Sequence, residues 1–157
     1  MSRTIILLLT LLTIASCSVQ QSREHDEKRI NALLNAWHQA AAEADENTFF
    51  NTFTQDGIYI GTDATELWTA PQLANWSAQY FERESAWDFK PYDRNIYFSH
   101  KGDIAWFDEL LETWMGTCRA SGVLEKQGKV WRLKHYHLAI AVPNEVVEDY
   151  LRLIRKR

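Results

Sequence analysis

From Ser85 onward the chain abandons helical spacing and runs in long period-two segments separated by very short turns. This most narrows what the chain can fold into. Phe89 to Ser99, rich in aromatics with Pro91 near its start, reads as a strand, and His100-Lys101-Gly102-Asp103 reads as a turn. Ile104 to Trp114 is the next strand, and Met115-Gly116-Thr117 bends the chain. Arg119 to Lys126 follows, then a hairpin turn at Gln127-Gly128-Lys129, then a last strand from Val130 to Val142. Connections this short join antiparallel neighbours, so these segments form a meander.

The first half is helical. Ile30, Leu33, Leu34, Trp37, Ala41 and Ala44 recur at three- and four-residue steps and predict one apolar helix face over about Glu24 to Asp45. Asn47 is placed to cap a short helix from Thr48 to Phe53. Asp56-Gly57 turns the chain into a short strand, Ile58–Ile60. Thr69-Ala70-Pro71-Gln72 combines a hydroxyl cap, an early proline and a glutamine three residues on, and so starts a helix with Leu73, Trp76, Tyr80 and Phe81 on its inner face. After Pro143-Asn144 a C-terminal helix carries Glu145, Glu148 and Asp149 in its first turns and Arg152, Arg155, Lys156 and Arg157 in its last, as the helix dipole favours. Helices segregated to one face of an antiparallel sheet make an α+β fold. When the sheet is long and twisted, sheet and helices enclose a cone that must be filled by large side chains or by a ligand. The supply of large side chains is generous, since 13% of the 157 residues are aromatic and seven are Trp. A net charge of -4 argues against a nucleic-acid partner.

The N-terminus has a different logic. Arg3 is the only charge before Arg23, and Ile5 to Ala15 is an unbroken apolar and threonine run. It is too short to cross a hydrocarbon core of about 30 Å and suits the apolar region of an export signal. Ile14-Ala15-Ser16-Cys17 resembles the bacterial lipobox, which implies cleavage before Cys17 and acylation of that residue. Several acyl chains at one site anchor a protein stably. The expected organisation is a signal peptide over 1–16, a polar lipidated tether over 17–28, a domain over 29–143 and the C-terminal helix over 144–157. Ser18, rather than Asp, after the cysteine implies the outer membrane, facing the periplasm. The remaining cysteine, Cys118, reads as a small buried hydrophobe.

Ile58-Tyr59-Ile60-Gly61-Thr62-Asp63 after two helices, then Gly102-Asp103-Ile104-Ala105-Trp106-Phe107, then Gly128-Lys129-Val130-Trp131-Arg132-Leu133-Lys134-His135-Tyr136-His137 together resemble the SnoaL-like branch of the nuclear-transport-factor-2-like superfamily. The last segment is also similar to the association domain of calcium/calmodulin-dependent kinases. The resemblance spans about Ile30 to Val142. It implies a cone-shaped, strongly curved sheet with the N-terminal helices on its concave face (the cystatin-like arrangement), and a homodimer through the outer face of the sheet. Members include isomerases, dehydratases, cyclases and assembly domains, so the fold locates a site without naming its chemistry.

By the same resemblance Ala105, Phe107, Glu109, Leu111 and Thr113 face the cavity. Arg119, Ser121 and Val123 would share that side. On the last strand, burying Trp131 and Leu133 is worth about 2 kcal/mol each, which turns His135, His137 and Ala139 inward with them and Tyr136, Leu138 and Ile140 outward. Glu109, Arg119, His135 and His137 then stand in an apolar wall, and buried ionisable groups must be paired or serve a task. Three readings follow. Glu109 pairs with Arg119 or a histidine and only orders the cone. Or these groups orient an organic ligand, carboxylate-bearing if Arg119 holds it, in a cavity drawn from Trp37, Phe53, Tyr59, Trp68, Tyr80, Trp87 and Trp131, with Asp63 at its mouth. Or Glu109 or a histidine is a general base with Arg119 stabilising an oxyanion, as in a cofactor-independent isomerase, dehydratase or hydrolase. His135-x-His137 also has metal-ligand spacing, with Glu109 as a third ligand, although no cofactor or metal is required by any of the three readings. An empty hollow of a few hundred Å³ favours a ligand or an enzyme, and a filled one favours a structural envelope module.

Overall fold

The computed structural model describes the backbone of residues 2–155 and the side chains of residues 20–155. Eleven elements follow in order: α1 (Ser2–Ala42), α2 (Glu46–Asn51), β1 (Phe53–Ile60), β2 (Leu67–Thr69), α3 (Ala70–Phe81), β3 (Lys90–Phe98), β4 (Ile104–Thr113), β5 (Gly116–Gln127), β6 (Val130–Ile140), a 3-10 turn (Asn144–Val146) and α4 (Val147–Ile154). The six strands form one sheet in the order β2-β1-β6-β5-β4-β3. The meander β3 to β6 is antiparallel throughout. The expectation of a wholly antiparallel sheet fails at one ladder, where β1 runs parallel to β6 after the long α3–β5 excursion.

Local chemistry explains the boundaries. Asp45, rather than Asn47, caps α2, accepting from the Thr48 amide at 3.1 Å. Thr69 and Gln72 form the reciprocal capping box of α3, with Pro71 in its first turn. Leu67–Thr69 pairs as a short strand with β1. Gly102, Gly116 and Gly128 sit at positive φ in the three meander turns, where a side chain is disfavoured. At Gly122 a Cβ would stand 2.5 Å from the Phe107 ring, so this glycine lets the ring lie flat across β5.

The core lies between the concave face of the sheet and α1, α2 and α3. Ile30, Leu34, Trp37 and Ala41 of α1 are buried against Phe107, Leu111, Ala120, Leu124, Leu133 and Tyr136 of the sheet. The stretch expected to be a tether, residues 17–28, belongs to α1. Its Asp26 is 6% exposed and holds the domain, accepting from Lys126 Nζ at 2.6 Å and from Trp131 Nε1 at 3.1 Å. The side chain of Cys17, on which the acylation reading rests, lies outside the described residues. Among the described residues no helix is long and apolar enough to cross a membrane. On α4, Tyr150, Leu153 and Ile154 remain substantially exposed.

Candidate functional site

Two β-bulges decide which side chains enter the cone. On β6 the partner of Leu124 is Leu133 but the partner of Val123 is His135, so Lys134 is an extra residue. Alternation reverses there. Trp131 and Leu133 face inward as expected, but Tyr136 and Leu138, at 1% and 3% exposure, face inward in place of the two histidines. His135 is half-buried and His137 exposed, both on the convex side with Ile58 and Ile60 of β1. The inward placement of His135 and His137 is therefore corrected, as is the outward placement of Tyr136 and Leu138. Arg119 also faces out. It is 56% exposed and bonds Asp108 at 2.9 Å on the convex surface. The proposed constellation of Glu109, Arg119, His135 and His137 is not assembled. Among the described residues no three His, Cys, Asp or Glu side chains converge as metal ligands.

The second bulge lies on β3, where Asp93 adopts a left-handed φ of 49° and both Asp93 and Arg94 stand opposite Glu109. Aspartate tolerates that conformation better than most residues. Its effect is to turn Arg94 inward. Glu109 is fully buried, as the sequence suggested, and both of its oxygens are satisfied. His38 Nε2 donates to Oε1 at 2.8 Å and Arg94 Nε donates to Oε2 at 2.7 Å. Arg94 Nη1 donates in turn to the side-chain oxygens of Asn31 at 3.1 Å and Asn35 at 2.9 Å. Burial pushes the Glu109 carboxyl up, but the His38 hydrogen bond and the charges of His38 and Arg94 outweigh it and hold the group below the ordinary range. A carboxylate held toward its ionised form, with both oxygens occupied, is a poor proton acceptor. The cluster ties α1 to β3 and β4, and neither Glu109 nor His38 lines the aromatic hollow that Tyr59 and Trp68 border. Sequence reasoning missed His38 and Arg94. The spacing Leu34, His38, Ala41 along the inner stripe of α1 carried the signal for the first.

The hollow lies elsewhere, lined from β1, β2, α3 and β6. It has a volume of about 280 Å³ and is open to one side. Tyr59 of β1, Trp68 of β2, and Trp76 and Tyr80 of α3 form one wall. Trp68 and Trp76 stack at 4.6 Å, Trp76 and Tyr80 lie 5.1 Å apart, and Tyr59 lies 6.2 Å from Trp68. Trp87 and Phe89 also line it, with Leu138 contributing from β6 and Trp114 and Met115 from the β4–β5 turn. Trp87 is held in place by the end of α1, whose Ala41 carbonyl accepts from the amides of Ala86 at 3.0 Å and Trp87 at 3.3 Å. Of the residues expected at the ligand, Tyr59, Trp68, Tyr80 and Trp87 line this hollow. Trp37 and Phe53 are core instead, packed with Phe49. Trp131 faces inward but is committed to Asp26. Asp63 turns away, accepting from Thr65 at 2.9 Å and bordering an outer groove with His137.

Among the described residues the only carboxylate lining the hollow is that of Glu66, in the turn between β1 and β2. The turn is firmly built. Gly61 N donates to the Glu66 carbonyl at 2.9 Å, Glu66 N to the Asp63 carbonyl at 3.0 Å, and Asp63 N to Glu66 Oε2 at 3.1 Å. The carboxylate lies over Gly61, where a Cβ would collide with it. Burial pushes the Tyr59 hydroxyl far above its ordinary pKa, and the nearby Glu66 charge pushes it further.

Solved structures with this arrangement of sheet and helices are known. A cystatin-like domain of unknown function from Nostoc punctiforme superposes with a TM-score of 0.68 at 16% identity, covering 85% of this chain and 87% of that one. A nuclear-transport-factor-2-like protein of unknown function from Pseudomonas putida gives 0.64 at 15% identity, with coverages of 78% and 92%. A nuclear-transport-factor-2-like protein from Cytophaga hutchinsonii gives 0.60 at 16% identity, with coverages of 73% and 98%. No curated protein shows significant similarity to the chain. The model of the SnoaL-like domain matches residues 30–143, and the chain belongs to that family.

Proposed function

We propose that the protein binds a small, partly apolar organic molecule in the hollow of its cone. One observation carries this reading: the cavity of about 280 Å³ walled by Tyr59, Trp68, Trp76, Tyr80 and Trp87. Small-molecule sites are mostly apolar concavities of about 300–1,000 Å³ with a few convergent polar groups, and this one falls just below that range, which limits the occupant to a small molecule. The rings of Trp37, Phe49, Phe53 and Tyr136 fill the middle of the cone, and the space left beside them favours binding over a purely structural role. Catalysis by Glu109 finds no support, because that carboxylate is committed to His38 and Arg94. We place the protein at the cell envelope, anchored through acylated Cys17, and as a homodimer through the convex sheet face, where Tyr97 and Trp106 stack in the open at 46% and 45% exposure.

The test uses N-phenyl-1-naphthylamine, a neutral dye that brightens in apolar surroundings. Saturable binding of one dye per chain, weakened by Trp68→Ala and left unchanged by Arg119→Ala on the opposite face of the sheet, is the expected result. Absence of saturable binding overturns the reading. For the anchor, Cys17→Ser is expected to release the protein from the membrane fraction, and retention would overturn that part.

A further inference from the structure

The chemistry of the hollow selects the charge of its occupant. The guanidinium that sequence reasoning offered to a carboxylate, Arg119, lies on the other side of the sheet. Among the described residues no Lys or Arg lines the cavity, whereas one carboxylate, Glu66, does. Among the described residues that carboxylate forms no ion pair, and the one hydrogen bond it accepts comes from a backbone amide to Oε2. Trp68, Trp76 and Tyr80 line the same hollow, Trp68 stacked on Trp76 and Tyr80 tilted against it. Aromatic faces carry negative electrostatic potential, and cations within about 6 Å of a ring centroid are attracted by it. Tyr80 already seats a cation in this way, since the Arg83 guanidinium lies 4.5 Å from its centroid.

We infer that the hollow is an aromatic cage for an organic cation of the quaternary or alkylated ammonium class, with Glu66 as its counter-charge. Such a ligand matches every wall. Its alkyl groups bury apolar surface against indole and phenol rings, and its charge is spread over those groups without needing hydrogen-bond acceptors on all sides. A sugar would also stack on aromatic rings, but its many hydroxyls need polar partners that this lining does not supply in number. Gly61 belongs to the device, because a side chain there would displace the Glu66 carboxylate. Glu66 acts here as a binding residue, and no reaction is assigned to it.

This inference rests on the cavity-binding reading, and the experiment separates the two. N-phenyl-1-naphthylamine is bound first and then displaced by choline, by its uncharged isostere 3,3-dimethyl-1-butanol, or by glucose. Choline is expected to displace the dye at a concentration about tenfold below that of the isostere, the ratio a partly desolvated cation–aromatic contact gives. Glu66→Gln retains a hydrogen-bond acceptor for the Asp63 amide and is expected to reduce that ratio to about threefold or less, with the isostere unaffected. Dye binding itself confirms that the variant is folded. If the isostere or glucose displaces the dye as well as choline does, or if the choline advantage survives Glu66→Gln, the cation assignment is overturned and the cavity reading stands. If the dye itself fails to bind, both fall.

Discussion

Replacing Glu109 by Gln is expected to be among the most destabilising single changes in the domain. Glu109 is 0% exposed, and the side chains that hold it, His38 and Arg94, are 5% and 7% exposed. The substitution keeps the volume but removes the negative charge. The Arg94 guanidinium is then left buried with only the neutral oxygens of Asn31 and Asn35. Breaking a buried pair by removing one partner costs about 3–5 kcal/mol, against a typical total stability of 5–15 kcal/mol. For a domain of this size that corresponds to a fall in Tm of roughly 10–20 °C. Urea unfolding followed by tryptophan fluorescence measures it. The double variant Glu109→Gln with Arg94→Met removes both charges and is expected to recover part of the loss. The same cluster gives a pH dependence. The folded-state pKa of Glu109 lies below its ordinary value of 4.5. Its contribution is therefore complete above that value and is lost as pH falls through the depressed folded-state value. A loss below about 1 kcal/mol for Glu109→Gln, or additive losses in the double variant, would refute the reasoning.

Three smaller predictions concern other features. Tyr136 is 1% exposed and its hydroxyl has no hydrogen-bond partner, so Tyr136→Phe is expected to leave stability unchanged or raise it by about 1 kcal/mol in the same urea assay. Ala44 closes α1 at a left-handed φ of 54°, and Ala44→Gly is expected to gain up to about 1 kcal/mol, since only glycine enters that region freely. Trp106 is 45% exposed on the convex face, and Trp106→Glu is expected to turn the proposed dimer into monomers in sedimentation equilibrium without altering the far-UV spectrum.

The meander was legible because each strand alternates and each turn carries a glycine at positive φ. The start of α3 was legible because capping boxes are local. Glu109 was legible as a lone acid on an apolar face. What was lost was the phase of alternation. A single extra residue, Lys134, exchanges the two faces of β6 beyond it. The trace of that exchange is visible in the chain, since Lys134 and His135 are two polar residues in succession before the apolar pair Tyr136 and Leu138. The turning of Arg94 at Asp93 left no comparable trace, because Tyr92-Asp93-Arg94-Asn95 gives no clear inside or outside. The parallel β1–β6 ladder is a long-range pairing that neither segment announces. Glu66 was passed over because its role depends on Gly61 allowing a carboxylate to lie over the backbone, a fact of space rather than of pattern.

The most direct measurement is a crystal structure of the protein soaked with 4-bromobenzyltrimethylammonium, with data collected at the bromine absorption edge. The account predicts one anomalous peak within the hollow between Trp68 and Trp87, with the ammonium on the Glu66 side. A peak in the outer groove beside His137, or next to Glu109 and Arg94, would contradict it.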